Sequence, residues 1–372
     1  MDSSSPDART REEVGAVVRE SVPETITVLQ IAATYIGTVV GAGFASGQEV
    51  LQFFGRFGMQ GVLGIALAGI LFAYCGFIVL ELGRRLGATS HLGVIASSTG
   101  RLATPIDFMV TFFLFGGFVA MIAGSGAVFV EELGMPYLSG GMMMAALTLA
   151  TVVLGLHSVI LAITIFVPFL LLSVLALSYL AVSEFGITPV QLGALDPGSA
   201  PVAWWPASAV VYASYNLLTT SSVLAPVGAM ATSGRQNLCG AILGGLGLGL
   251  GALAIHLGVI AAAPASLGYE IPMICVAGAF GPASKFAYSL VLLGEIYTTA
   301  VADLYGLTAR LTGSRKRVFR FAAALLTISA LVASRMGFAV VVRTVYPAAG
   351  YAGLLFLACL LTAPFRHGAG FR

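Results

Sequence analysis

Two acidic residues stand in apolar surroundings where a carboxylate needs a reason to be. Glu295 lies in GEIYTTAV, within a turn of Thr298 and Thr299, and Glu49 closes GTVVGAGFASGQE at residues 37–49. A carboxylate held in hydrocarbon has to pair, bind a cation or carry a proton. The second stretch also holds Gly37, Gly41, Gly43 and Gly47, the residues least able to sustain a helix, inside an apolar run that begins near Thr27. A helix broken at Gly41, Ala42 and Gly43 leaves backbone groups unpaired, each expensive in lipid unless protein, water or ligand satisfies it. Such a break suits binding. Carbonyls of residues 37–40, ending an inner half-helix, can face a cation, and the N–H groups of Gly43, Phe44, Ala45 and Ser46 can face an anionic group such as a carboxylate. The competing reading is that the glycines only let helices approach closely.

The elements that must position these groups are membrane helices. Of 372 residues, 58% are hydrophobic and 9% charged, with mean hydropathy +0.97, too little polar surface to cover a soluble globule. A span needs roughly 20 apolar residues, and ten stretches qualify: 27–55, 61–83, 104–130, 139–156, 159–183, 203–232, 237–263, 282–310, 318–335 and 345–364. The expected fold class is therefore an all-α integral membrane protein. Residues 1–24 are polar with no signal-peptide pattern, and are expected to stay cytoplasmic.

Basic residues set the orientation. With the N-terminus inside, Arg9, Arg11, Arg19, Arg84, Arg85, Arg101, Arg235, Arg310, Arg315, Lys316, Arg317, Arg320, Arg366 and Arg372 are cytoplasmic, leaving Arg56, Lys285, Arg335 and Arg343 outside. That asymmetry predicts a multi-pass protein of a bacterial cytoplasmic membrane with both termini inside. The net charge of +2 is loop asymmetry and leaves no basic domain for nucleic acid.

The ten stretches divide into halves at 25–185 and 203–364, joined by an outside loop at 186–202 and followed by a tail at 365–372. Each half opens with an unusual helix: the glycine-broken first, and a sixth reading VVYASYNLLTTSSVLAPVG, with Asn216, Thr219, Thr220, Ser221, Ser222 and Pro226 interrupting its apolar pattern. Halves with an odd number of spans have opposite orientations, the arrangement of inverted-repeat secondary transporters whose discontinuous helices form the site. Tyr212, Tyr215 and Asn216 are expected to flank the second break and touch substrate, and Ser125 to line the cavity. Tyrosines bonding between helices, and a small residue merely packing, are the plainer alternatives. Glu81, Asp107 and Asp303 are expected to pair with neighbouring arginines near the cytoplasmic ends. Glu49 is a candidate gate partner for Arg56, Lys285 or Arg343. Gly245/Gly249 and Gly247/Gly251 read as helix-packing pairs.

An intramembrane enzyme is the weaker class. A serine in FASG needs a base within reach, and of the histidines only His256 lies well inside a span, where a structural role suits it. No HExxH motif occurs, and Cys75, Cys239, Cys275 and Cys359 form no CxxC pair, so neither a zinc site nor a disulfide framework is expected, and no cofactor. A metal-ion transporter would want Asp, Asn or Met at both breaks. A solute sensor with a transporter fold fits the same residues as a transporter does.

GTVVGAGFASGQE resembles the first helix of the YkvI-like bacterial membrane proteins, related to the amino acid/polyamine/organocation superfamily. The likeness continues through VYASYN, VLAPVG, GEIYTT and TVYPAAGYAG. It implies a LeuT-type fold of five plus five helices with discontinuous helices 1 and 6. It also implies a Na+ site formed by the Gly37 and Val40 carbonyls with Thr298 and Thr299. The lysine that proton-coupled members carry in helix five has no counterpart, which favours Na+ over H+, while Glu295 keeps proton coupling open. The resulting expectation is a cation-coupled symporter of an amino acid or similar small zwitterionic or organic solute.

Overall fold

The computed structural model describes residues 26–188, 193, 202–269, 271–313, 316–337 and 349–362. The expected cytoplasmic segment 1–24, most of the loop 186–202, the tail 365–372 and Arg343 lie outside the described residues. Helices occupy each of the ten apolar stretches, and no strand occurs among the described residues. In chain order they are α1 Val28–Val39, α2 Ala42–Ala45, α3 Gln48–Phe53, α4 Met59–Leu86, α5 His91–Thr99, α6 Ala103–Leu133, α7 Tyr137–Val153, α8 Leu156–Phe185, α9 Trp205–Ala229, α10 Gly234–Ala261, α11 Pro272–Gly278, α12 Pro282–Thr312, α13 Lys316–Ala333 and α14 Ala349–Thr362. Six of them, α4, α6, α8, α10, α12 and α13, hold stretches long and apolar enough to cross a membrane.

The first span breaks at Val40 and Gly41, at the leading edge of the expected Gly41–Gly43 break, with Ala42 and Gly43 already helical, and then breaks again. Thr27 and Gln30 cap α1 reciprocally: Gln30 N–H donates to Thr27 Oγ1 at 3.2 Å and Thr27 N–H to Gln30 Oε1 at 2.9 Å. α1 ends at Val39 because Val40 turns extended, with φ −74° and ψ 118°. After the single turn of α2, Gly47 takes φ +81° before α3 begins, a conformation that suits only glycine. The outer half-helix expected from residue 43 is therefore two short pieces. The second break is held from outside by the Met273 N–H of α11, which donates to the Ser46 carbonyl at 2.9 Å.

α9 corrects the expectation of a second discontinuous helix: it runs unbroken from Trp205 to Ala229. Several of its polar side chains turn back on their own helix, while Thr220 Oγ1 donates across to the Thr38 carbonyl of α1 at 3.2 Å. Asn216 Nδ2 donates to the Tyr212 carbonyl at 3.0 Å, Ser221 Oγ to Leu218 at 2.7 Å, and Thr219 Oγ1 to Tyr215 at 3.2 Å. Hydroxyls so bonded are satisfied without opening the backbone, and Pro226 falls in the last turn.

Small residues then bring the helices together. Tyr35 of α1 wedges between α4 and α10, its hydroxyl donating to the Phe72 carbonyl at 2.7 Å and its ring lying against Gly76 and Gly244. α4 and α9 touch backbone to backbone, Gly83 on Ala225 and Gly228 on Leu80, and a side chain at either glycine would overlap a carbonyl. Gly245 of α10 meets the backbone of Gly69 and Ala73 on α4, and Gly247 and Gly251 meet Ile36 and Phe44, as the packing reading of these glycines expects.

Candidate functional site

α6 and α12 lie side by side and are tied at both ends. At one end Arg310 of α12 grips Asp107 of α6 with two bonds, Nε to Oδ1 at 2.5 Å and Nη2 to Oδ2. At the other, Lys285 Nζ reaches Glu132 Oε2 at 3.2 Å. Between the clamps, where α1 breaks, the helices part around a cavity of about 50 Å³. Its wall includes Thr38, Gly41 and Glu49 from the broken span, Phe113, Gly117 and Met121 from α6, Tyr215, Asn216 and Thr219 from α9, and Thr299 and Asp303 from α12.

The break and α12 are joined directly. Thr299 Oγ1 donates to the Val40 carbonyl at 2.6 Å, and Gly41 sits against the same threonine. Two of the four groups in the expected ion site thus meet. Thr298 does not join them: its hydroxyl donates to the Glu295 carbonyl at 3.1 Å and lies 3.5 Å from Oε2 of Glu295. Gly37 is packed against Ile163 and Val167 of α8. Glu295 itself is buried, 1% exposed, and does not line the cavity.

Glu49 partners neither Arg56 nor Lys285. Its carboxyl folds over the bare face of Gly43, where any side chain would overlap it, and accepts a hydrogen bond from the Tyr215 hydroxyl. Lys285 is taken by Glu132. Asn216 and Tyr215 line the cavity as expected, but Tyr212 does not. It packs among Phe53, Phe54, Phe72 and Tyr215, with ring centroids 5.0–5.9 Å away.

Several expected binding residues have partners within the fold. Ser125 Oγ donates to the Gly140 carbonyl at 2.6 Å, joining α6 to α7 away from the cavity, which corrects its expected place in the lining. Ser46 Oγ donates to the Gly43 carbonyl at 2.9 Å, the Ala45 carbonyl accepts the Tyr288 hydroxyl at 2.6 Å, and Phe44 is buried towards Gly251 of α10. The Ala42 side chain lies outside what the structure describes.

Of the three acids expected to meet arginines, two do. Glu81 binds Arg84 at 2.6 Å and Arg85 at 2.8 Å, and Asp107 binds Arg310. His91, buried at the start of α5, lies 3.3 Å from Asp107; burial holds its imidazole below the usual range, against the pull of that carboxylate. Asp303 departs from the expectation. It lies on the cavity wall, 8% exposed, its carboxylate leaning onto Gly117, with no hydrogen bond or ion pair among the described residues. The signal for it was present: Glu295, Thr299 and Asp303 recur every four residues, a polar stripe along one side of α12.

No protein-family model matches the chain. It is 31% identical over 337 residues, 89% of its length and 94% of the other, to the uncharacterised membrane protein YkvI of Bacillus subtilis (strain 168). With the uncharacterised protein YyaD of the same organism it shares 27% identity, over 88% of this chain and 94% of that one. Among solved structures it resembles MhsT in complex with L-phenylalanine, with TM-score 0.64 and 19% identity over 89% of this chain and 88% of that one. It also resembles a Na+-coupled sialic acid symporter, with TM-score 0.63 and 12% identity over 86% and 75%. A third match is Mhp1, a nucleobase-cation-symport-1 family transporter, with TM-score 0.61 and 14% identity over 91% and 76%. These likenesses place the chain in the LeuT-type fold.

Proposed function

We propose that this chain, which belongs to the family of the Bacillus subtilis membrane protein YkvI, is a secondary active transporter moving a small organic solute together with a cation. One observation carries the reading: the first span is broken at Val40 and Gly41, and the freed Val40 carbonyl meets Thr299 beside a buried polar cavity. Irregular backbone at membrane depth is tolerated where it lines such a cavity.

In this reading the ten helical stretches cross the membrane in two inverted halves, 25–185 and 203–364, in a bacterial cytoplasmic membrane with both termini inside. Val40 and Thr299 offer oxygen ligands to Na+, joined by the Gly37 carbonyl and by Thr298 after a change of rotamer. The solute, an amino acid or a similar small zwitterionic or organic molecule, occupies the space between Gly41, Tyr215 and Asn216. The clamps Asp107–Arg310 and Glu132–Lys285 then serve as inner and outer ties that alternate in opening.

The test is uptake of a labelled amino-acid panel into proteoliposomes under an inward Na+ gradient or an inward H+ gradient, imposed separately. Na+-driven accumulation lost in Thr299→Val supports the ion site. Accumulation under H+ alone, lost in Glu295→Gln, moves coupling to Glu295. Binding of a panel member with no accumulation under either gradient would favour a sensor.

A further inference from the structure

The cavity holds an unbalanced pair of acids. Asp303 and Glu49 both line it, each 8% exposed, and no Lys, Arg or His is among its described lining residues. Among the described cations, Arg310 is committed to Asp107, Lys285 to Glu132, and Arg84 and Arg85 to Glu81. Glu49 has Tyr215 as a donor and the face of Gly43 as a seat. Asp303 has neither donor nor cation among the described residues, and its carboxylate rests on Gly117 with the cavity in front of it. A buried charge without a partner is strongly unfavourable, so Asp303 carries a proton while the cavity is empty and ionises only when what binds brings the compensating charge.

We propose that Asp303 seats a positively charged nitrogen of the transported solute, and that the solute carries a net positive charge. This rests on the transporter reading above and narrows its substrate. With both acids ionised, a zwitterion and one coupled monovalent cation together bring a single positive charge to two negative ones. An amine without a carboxylate, or an amino acid with a second amine, brings the missing charge. The walls suit such a solute: Phe113 and Tyr215 present aromatic surface and Met121 a polarisable thioether, which accept an ammonium and its hydrocarbon body together. A solute carboxylate would find no basic side chain among the described lining residues, and α2, at one turn, is too short to supply a substantial dipole.

Four probes separate charge from shape. Valine, isobutylamine and 3-methylbutanoate share a branched body and differ in charge, and 2,4-diaminobutanoate keeps the carboxylate while adding a second amine. Binding is read as the concentration-dependent rise in Tm of the purified full-length protein, and transport as uptake into proteoliposomes. We expect isobutylamine or 2,4-diaminobutanoate to half-saturate at about tenfold lower concentration than valine, with 3-methylbutanoate inert. Asp303→Asn should erase that preference. Gly117→Ala, which keeps the charge but displaces the carboxylate, should weaken the amine probes and carries the test if Asp303→Asn fails to fold.

Valine binding as well as either amine, or amine binding unaffected by both variants, overturns the assignment. So does an Asp303-dependent Tm shift produced by NaCl or MnCl2 alone against choline chloride, which would place an inorganic cation there, and so does no shift by either amine at millimolar concentration. Amine binding without uptake would instead overturn the transporter reading and leave the charge assignment standing.

Discussion

Gly43 and Glu49 are fitted to one another: the carboxyl of Glu49 lies on the face of residue 43 where a Cβ would stand. The glycine is thus required by a side chain six residues later as much as by the helix break. Gly43→Ala should push Glu49 off the Tyr215 hydroxyl, lowering stability by about 1–3 kcal/mol and abolishing uptake. Shortening the acid makes room, so Glu49→Asp combined with Gly43→Ala should recover part of the lost Tm. A double variant no more stable than Gly43→Ala alone would show that the glycine serves backbone conformation instead.

Thr299 reaches across from α12 to the broken end of α1 through one hydroxyl. Thr299→Val keeps the shape and removes the donor, leaving the Val40 carbonyl short of a partner at a cost of about 1 kcal/mol. If the pair also holds Na+, the rise in Tm with NaCl over choline chloride should vanish in Thr299→Val and persist in Thr299→Ser. A NaCl response that survives in Thr299→Val would remove this threonine from the ion site.

The break in the first span was legible because Gly37, Gly41, Gly43 and Gly47 fall so close together that an unbroken helix through them would be weak. The break expected in α9 was not there, and the reason is general. Ser, Thr and Asn can satisfy themselves on their own helix, so an unbroken polar helix and a broken one share a composition. Asp303 was misplaced because closeness in sequence to Arg310 is not closeness in space: seven residues apart, the two share one side of α12 but stand about 10 Å apart along its axis. Seven residues on, Arg310 turns to Asp107 while Asp303 turns to Gly117. The four-residue recurrence from Glu295 through Thr299 marks that side of α12 as polar, but it separates a cavity stretch from a packing stretch only once α6 is in place.

Ser125 offers a check on that placement. Its hydroxyl ties α6 to α7 through the Gly140 carbonyl and is fully buried. Ser125→Ala should cost about 1 kcal/mol of stability and leave uptake per folded molecule unchanged. A change in half-saturation for the solute without a change in Tm would return Ser125 to the cavity lining.

His91, Asp107 and Arg310 form a buried charged knot at one end of α6 and α12, and its pH dependence has a definite sign. Burial is the largest influence on His91 and lowers its affinity for a proton; Asp107 opposes this and Arg310 reinforces it. The unfolded chain, with an imidazole near the ordinary value of about 6.5, therefore binds the proton first as pH falls. The His91 contribution is complete above that value and is lost below it. Wild-type Tm should drop between about pH 7.5 and 5.5 by more than that of His91→Gln. Arg310→Ala leaves Asp107 with His91 as its remaining cation, so this variant should be less stable at neutral pH, by about 1–3 kcal/mol. It should also lose less on acidification than wild type, because a protonated His91 then replaces the missing guanidinium. An Arg310→Ala protein that loses as much Tm on acidification as wild type would show that the three groups do not share a charge balance.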